Sequence, residues 1–167
     1  MVKNKEDRKD SKLDDLKKVY ERIRKKHSLP SFDDMNKDFQ IERISEVETE
    51  YLIREVRKFM AEKFSNYLRF VEAILHPVNS PMFVFSIIKS IGAEEKNKLT
   101  EIYKYLAKTE VLLIELDIDF SEEKEAKFIK ESFTGWQKIK DDLQKFIVSI
   151  KKSWDNKFEV NHKGYFG

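Results

Sequence analysis

Two long amphipathic stretches, residues 45–76 and 121–154, constrain the fold of this chain more than any other feature. Both carry apolar side chains at spacings of three and four, which is typical of one face of an α-helix. The first begins with Ser45 and a glutamate three residues later, a capping-box pattern. The second begins at Ser121 with two glutamates in its first turn, and Gly135 inside it predicts a close helix contact or a bend. Each stretch predicts one long helix.

The remaining segments predict shorter helices. Residues 11–28 carry a narrow apolar seam, which indicates a peripheral helix, and residues 31–39 predict a short helix capped by a serine. Residues 81–91 are apolar on all sides, so we expect them in the centre of the domain or under a partner. Residues 93–117 predict a further helix. Its nearly continuous apolar end, residues 111–118, also allows a strand, but the sequence predicts no second strand that could pair with it.

The expected fold class is all-α. Four Gly and three Pro among 167 residues are few for a loop-rich chain, and thirteen Phe, six Tyr and two Trp are enough for a packed core. We expect a single-domain bundle over residues 11–155, with two long antiparallel helices, a short buried helix and a peripheral N-terminal helix at residues 11–28. Residues 1–10 are expected to form a disordered basic tail, and residues 156–167 an aromatic and basic tail.

The composition argues against several classes of function. The chain has no cysteine, which excludes disulfides, thiolate zinc sites and cysteine nucleophiles. Its four glycines stand at positions 92, 135, 164 and 167, so the sequence contains neither the glycine spacing of a phosphate-binding loop nor that of a dinucleotide-binding fingerprint. No signal peptide or membrane span is predicted, and 38% of the residues are charged. We therefore expect a cytoplasmic, non-enzymatic protein without cofactor, metal or small-molecule substrate.

Charge is distributed unevenly along the chain. Residues 1–30 carry eleven Lys and Arg against six acids, whereas residues 93–121 carry four Lys against seven acids. Residues 145–167 are again basic, with five Lys against two acids. Such clusters can neutralise the phosphates of a nucleic acid, but Lys and Arg are also common at solvent-exposed helix ends. The candidate nucleic-acid-binding residues are Arg22, Arg24, Lys25, Lys26, Lys151 and Lys152.

The narrow seam and the C-terminal tail are the candidate partner-binding surfaces. The seam consists of Leu13, Leu16, Tyr20 and Ile23 at helical spacing, and the tail offers Tyr165 and Phe166. Burial of these side chains would give affinity for the partner. The surrounding Lys and Arg would speed association and make the choice of partner selective. The sequence therefore predicts an interaction or assembly protein with a protein partner or with self-association. An RNA- or ribosome-associated protein is the alternative.

Two further groups of residues could carry chemistry. Glu72 and His76 stand four residues apart on a predicted helix, which would allow a metal-dependent helical enzyme, but a di-iron bundle needs more ligands than this pair. Glu110 falls on the apolar stripe of its helix. If it is buried there, a cation such as Arg54, Lys63 or Lys140 would have to pair with it.

Overall fold

Every element is a helix in the part of the chain that the structure describes. The structure is a computed structural model; it describes the backbone of residues 5–78 and 80–162, and the side chains of residues 10–78 and 80–152. The elements in chain order are α1 (Lys5–His27), α2 (Phe32–Phe39), a 3₁₀ helix (Ile41–Glu46), α3 (Leu52–Leu75), α4 (Met82–Ile88), α5 (Ala93–Ile118) and α6 (Glu122–His162). The predicted all-α class is confirmed, and residues 111–118 are helical. None of the described helices is long and apolar enough to cross a membrane.

Local capping signals mark several helix ends correctly. Ser31 precedes α2, and its side chain accepts a hydrogen bond from the backbone N–H of Asp34. At the end of α1, Ser28 adopts a left-handed conformation with φ of 55°, and the N–H of Leu29 bonds to the carbonyl of Arg24. This arrangement satisfies the last carbonyls of the helix. Ser121 precedes α6, and its carbonyl accepts from the N–H of Glu125.

The predicted start of the first long helix at Ser45 is wrong. Residues 41–46 instead form the 3₁₀ helix, which buries Ile41 and Ile44, and α3 begins only at Leu52. Glu46 and Glu50 would stand four residues apart on one helix face, and such like-charged pairs are destabilising. The connector between these elements is exposed throughout.

Two helices extend further than predicted. α1 already begins at Lys5, inside the expected disordered tail of residues 1–10. α6 continues to His162, past the expected domain end at residue 155 and into the expected tail. Residues 136–162 contain neither Gly nor Pro, so nothing local stops the helix there.

The chain divides into two compact units, and the single domain over residues 11–155 stays a prediction. The first unit comprises residues Met1–Phe64 and Thr109–Thr134, and the second comprises Ser65–Lys108 and Gly135–Gly167. The boundaries lie inside α3, α5 and α6, so these helices contribute residues to both units.

The first unit is built around the N-terminal helices. α1 packs against α2 and the 3₁₀ helix. Burial of apolar side chains drives this packing. Its fully or almost fully buried side chains include Tyr20, Met35, Ile41, Val56, Met60, Phe64 and Ile129. Phe39 packs edge-on against Phe64, with ring centroids 5.6 Å apart.

The second unit combines parts of the long helices with α4. Its buried residues include Val71, Leu99, Ile102, Leu106, Trp136 and Leu143. The ring of Tyr67 stacks on Trp136 with centroids 5.3 Å apart. A Cβ atom at Gly135 would come closer than 3.0 Å to the ring of Tyr105, so the predicted close helix contact is confirmed at this glycine.

Helix α4 is buried on one face only. Val84 and Ile87 are 4% and 5% exposed, whereas Met82 is 81% and Phe83 49% exposed. The prediction placed all of this apolar segment in the centre of the domain or under a partner. A helix this short, Met82–Ile88, buries only one face of itself within the second unit.

The antiparallel long helices are α5 and α6, joined by the short turn of residues 119–121. Within the first unit, Leu112 and Leu116 of α5 share a groove with Lys124 and Phe128 of α6. The prediction had paired the stretches 45–76 and 121–154, and contacts do join them, between Arg57 and Glu125 in the first unit and between Tyr67 and Trp136 in the second. Short connections favour antiparallel neighbours, and the turn after α5 is the shortest connection between long helices.

Candidate interaction surfaces

The basic cluster at the end of α1 is partly neutralised within the first unit. Arg24 Nη1 lies 2.9 Å from Glu21 Oε1, and Lys26 Nζ lies 2.9 Å from Glu122 Oε1. Arg22 and Lys25 are exposed, and among the described residues neither has an ion pair. Two of the four predicted phosphate contacts therefore already have an acidic partner.

Glu122 is the acidic centre of this region. The His27 Nε2 atom lies 2.7 Å from the same Glu122 Oε1 atom that contacts Lys26. The hydrogen bond from His27, and then that from Lys26, lowers the pKa of Glu122. Because Glu122 stands in the first turn of α6, its negative charge also suits the positive end of that helix.

Lys151 and Lys152 are exposed on α6 in the second unit. The six predicted nucleic-acid-binding residues are therefore divided between the two units. Those at the end of α1 belong to the first unit, and these two lysines belong to the second.

The predicted apolar seam on α1 is mostly part of the interior. Tyr20 is 1% exposed, its hydroxyl donates to the carbonyl of Pro30 at 2.9 Å, and its ring packs edge-on against Phe32. Burial raises the pKa of Tyr20. The assignment of Tyr20 to a partner surface is therefore corrected, because its side chain is a core contact. Leu13, Leu16 and Ile23 are half-buried.

A groove beside α1, which we call the α1 groove, is the surface that the seam leaves open. Its apolar lining consists of Leu16, Val19, Ile44, Val47 and Leu52, and polar or charged residues of α1 and of the segment 45–49 complete it. Its volume is about 340 Å³. Val19 is 42% and Val47 45% exposed. Tyr20, the neighbour of Val19 in α1, and Ile44, which also lines the groove, are both buried.

Sequence periodicity missed Val19 and Val47. Val19 lies beside the seam rather than on it, and Val47 lies in the connector that was expected to be helical. The signal for Val47 was an isolated apolar residue between Glu46 and Glu48. The other predicted partner residues, Tyr165 and Phe166, lie outside the described residues.

A buried charge cluster lies where α3, α5 and α6 meet in the first unit. Arg57 Nη2 lies 2.7 Å from Asp117 Oδ1, and Arg57 Nε lies 2.7 Å from Glu125 Oε2. The Glu125 side chain is 0% exposed and that of Arg57 is 5% exposed. The Nε contact lacks the alignment of a hydrogen bond, so charge attraction holds it. Burial raises the pKa of Glu125, against the opposing charges of Arg57 and Arg54.

This cluster contains a fully buried carboxylate, that of Glu125, whereas the sequence pattern pointed to Glu110 as a carboxylate on an apolar stripe. Glu110 is only half-buried. Both members of the Arg57 and Glu125 pair stand on apolar stripes of their helices, Arg57 between Ile53 and Met60 and Glu125 four residues before Ile129. That interruption of a stripe by a charge was the available signal.

Within the described residues, the Glu72 and His76 pair is not part of a larger group of potential metal ligands. His76 is exposed, and its ring packs edge-on against Tyr103 with centroids 5.8 Å apart. Over the described ranges, which omit residue 79 and both chain ends, no group of three or more His, Cys, Asp or Glu could hold a metal ion.

Comparisons with protein-family models, with curated proteins and with solved structures found no match for this chain. The exposed surfaces of the described residues are therefore the observations from which a function can be proposed.

Proposed function

We propose that this protein is a non-enzymatic helical interaction protein that binds a macromolecular partner through the α1 groove. The observation that supports this is that the groove lining brings together apolar side chains of α1 and of the connector, among which Val19 and Val47 remain almost half exposed. Exposed apolar side chains that line one concavity are typical of binding sites for protein side chains. Because Tyr20 and Ile44 beside these side chains are buried, little ordering is needed on binding.

The test uses Val19→Asp and Val47→Asp. Both side chains are substantially exposed, so the variants should fold, while a carboxylate in the groove should weaken partner binding by about tenfold or more. Val148→Asp is the matched control, because Val148 is 46% exposed and lies in the second unit. Each protein is purified from native extract with and without nuclease, and the partner identified is then titrated against purified protein.

The proposal predicts a partner that survives nuclease and salt, is lost with both groove variants, and is retained by the control. A partner that all three variants retain would place binding elsewhere and would contradict the proposal. The C-terminal residues Tyr165 and Phe166 stay a prediction from the sequence, to be tested separately by truncation after residue 162.

RNA or ribosome binding is the second candidate, supported by Arg22 and Lys25. Both cations are exposed, and no ion pair engages them in the described part of the chain. Binding that depends on phosphate contacts falls steeply as the salt concentration rises. For this candidate we expect nuclease to release the partner, and Arg22→Glu with Lys25→Glu to abolish RNA binding. Unchanged RNA affinity in that double variant would refute it.

A further inference from the structure

Helix α5 is apolar on two opposite faces within the first unit. Thr109, Leu113 and Leu116 face the interior and are 3%, 5% and 6% exposed. We name the opposite set, Val111, Ile114 and Ile118, the α5 stripe; its members are 65%, 57% and 82% exposed.

The spacing of the α5 stripe indicates what kind of element covers it. Its residues follow one another at intervals of three and four, the interval of a helix-packing seam. At about 100° per residue, the centre of the stripe lies nearly opposite the centre of the buried face. An apolar seam of this kind fits another helix that carries apolar residues at the same interval.

Charge around the stripe indicates the chemistry of that helix. Residues 109–123, which lie between Lys108 and Lys124, contain six acids and no Lys or Arg, and Glu122 is the acid already paired with Lys26 and His27. Glu115 is exposed beside the stripe, and Asp117 and Asp119 keep 64% and 69% side-chain exposure even though each contacts a cation of the same unit. A second copy of this helix would bring acids against acids, whereas a helix flanked by Lys or Arg would meet complementary charge.

We propose that the α5 stripe is a docking site for a basic amphipathic helix of another protein. The site shares no residue with the α1 groove, so this proposal goes beyond the proposed function and is independent of it. If both hold, the first unit carries two separate interaction surfaces.

The test titrates the full chain with two synthetic helical peptides by fluorescence anisotropy. Both peptides carry leucines at intervals of three and four; one has lysines on the flanks of this seam and the other has glutamates. We expect the lysine peptide to bind at least about tenfold more tightly than the glutamate peptide. Ile114→Asp should weaken binding of the lysine peptide by about tenfold or more, since a buried apolar anchor is lost.

Ile118→Ser is a second variant of the α5 stripe that should leave folding intact. Ile118 is 82% exposed and is the last residue of α5. Val148→Asp and Val19→Asp are the controls, and both should bind the lysine peptide like the unmodified chain. Retained peptide binding in Val19→Asp separates this site from the α1 groove.

Three results would overturn the proposal. The first is absence of binding by the lysine peptide, and the second is equal binding of both peptides. The third is a dimer of the chain, seen by sedimentation, that Ile114→Asp converts to monomer, since the occupant would then be a second copy.

Discussion

The buried pair of Arg57 and Glu125 allows a quantitative test of how this fold is stabilised. Glu125→Leu leaves Arg57 in the interior with one remaining acidic contact, Asp117. Breaking a buried pair by removing one partner costs about 3–5 kcal/mol. Because Asp117 still contacts Arg57, we expect a loss of unfolding free energy near the lower end, about 3 kcal/mol. That is a large share of the roughly 5–15 kcal/mol typical of domains.

Arg57→Met removes the cation and leaves the Glu125 carboxylate in the interior. Arg54 is the remaining nearby cation, and Glu125 can also take up a proton. The expected loss is again about 3 kcal/mol at neutral pH, and smaller in acid.

The double variant, Arg57→Met with Glu125→Leu, decides the argument. Removing both charges leaves nothing uncompensated, so its stability should lie within about 1 kcal/mol of the unmodified chain, or above it. Losses that simply add to about 6 kcal/mol would refute the reasoning, because they would show that the two residues act independently.

The assay is urea unfolding followed by far-ultraviolet circular dichroism, with linear extrapolation to water. Tryptophan fluorescence reports separately on the second unit, to which both tryptophans, Trp136 and Trp154, belong. Glu131→Leu in the same helix is the control. Lys127 and Glu131 are 73% and 63% exposed and 3.9 Å apart, so losing this surface pair should cost less than about 1 kcal/mol.

Glu125 also predicts a dependence of stability on pH. Its pKa is raised above the ordinary value of 4.5, so the folded chain holds this proton more tightly than the unfolded chain. The stability that Glu125 contributes is therefore fully present below the unfolded pKa and is lost as the pH rises through the folded pKa. Glu125→Gln should remove this loss of stability with rising pH. Parallel curves of unfolding free energy against pH for the two proteins would contradict it.

Three further substitutions test single contacts by urea unfolding. Tyr20→Phe leaves the Pro30 carbonyl without its donor and should cost about 1–2 kcal/mol; no change would contradict a structural role for that hydroxyl. Ser31→Ala removes the cap of α2 and should cost about 1 kcal/mol, whereas Ser31→Asp should restore most of it. Gly135→Ala gains about 1 kcal/mol of helix propensity but displaces the Tyr105 ring. It should therefore stabilise the chain only when it is combined with Tyr105→Ala. An equal effect of Gly135→Ala with and without Tyr105→Ala would disprove the close contact.

Local signals predicted most of the helices, because helix formation depends on neighbours a few residues away. Ser31 and Ser121 marked helix starts correctly, and the periodicity of residues 93–117 identified α5. Ser45 failed although it has the same type of capping pattern. In the structure, Ile41 and Ile44 are instead buried in a 3₁₀ helix that packs against α1. A contact with α1 is not contained in any local sequence pattern.

The candidate sites were less predictable than the helices. Tyr20 and Leu16 share one seam in the sequence, yet one is a core residue and the other lines a groove. Arg57 and Glu125 both interrupt apolar stripes, but so does Glu110, which is only half-buried. Sequence spacing shows that a charge lies on an apolar face without showing which other helix brings the opposite charge.

The sequence by itself determined that this chain is helical, because periodicity, caps and the scarcity of Gly and Pro act within single segments. Only the tertiary structure decided which apolar faces are buried. Residues 111–118 are apolar on two sides, and packing in the first unit buries Leu113 while leaving Ile114 57% exposed. The physical reason is that burial depends on a partner surface distant in sequence, so the surfaces left over for other molecules exist only once the helices have packed.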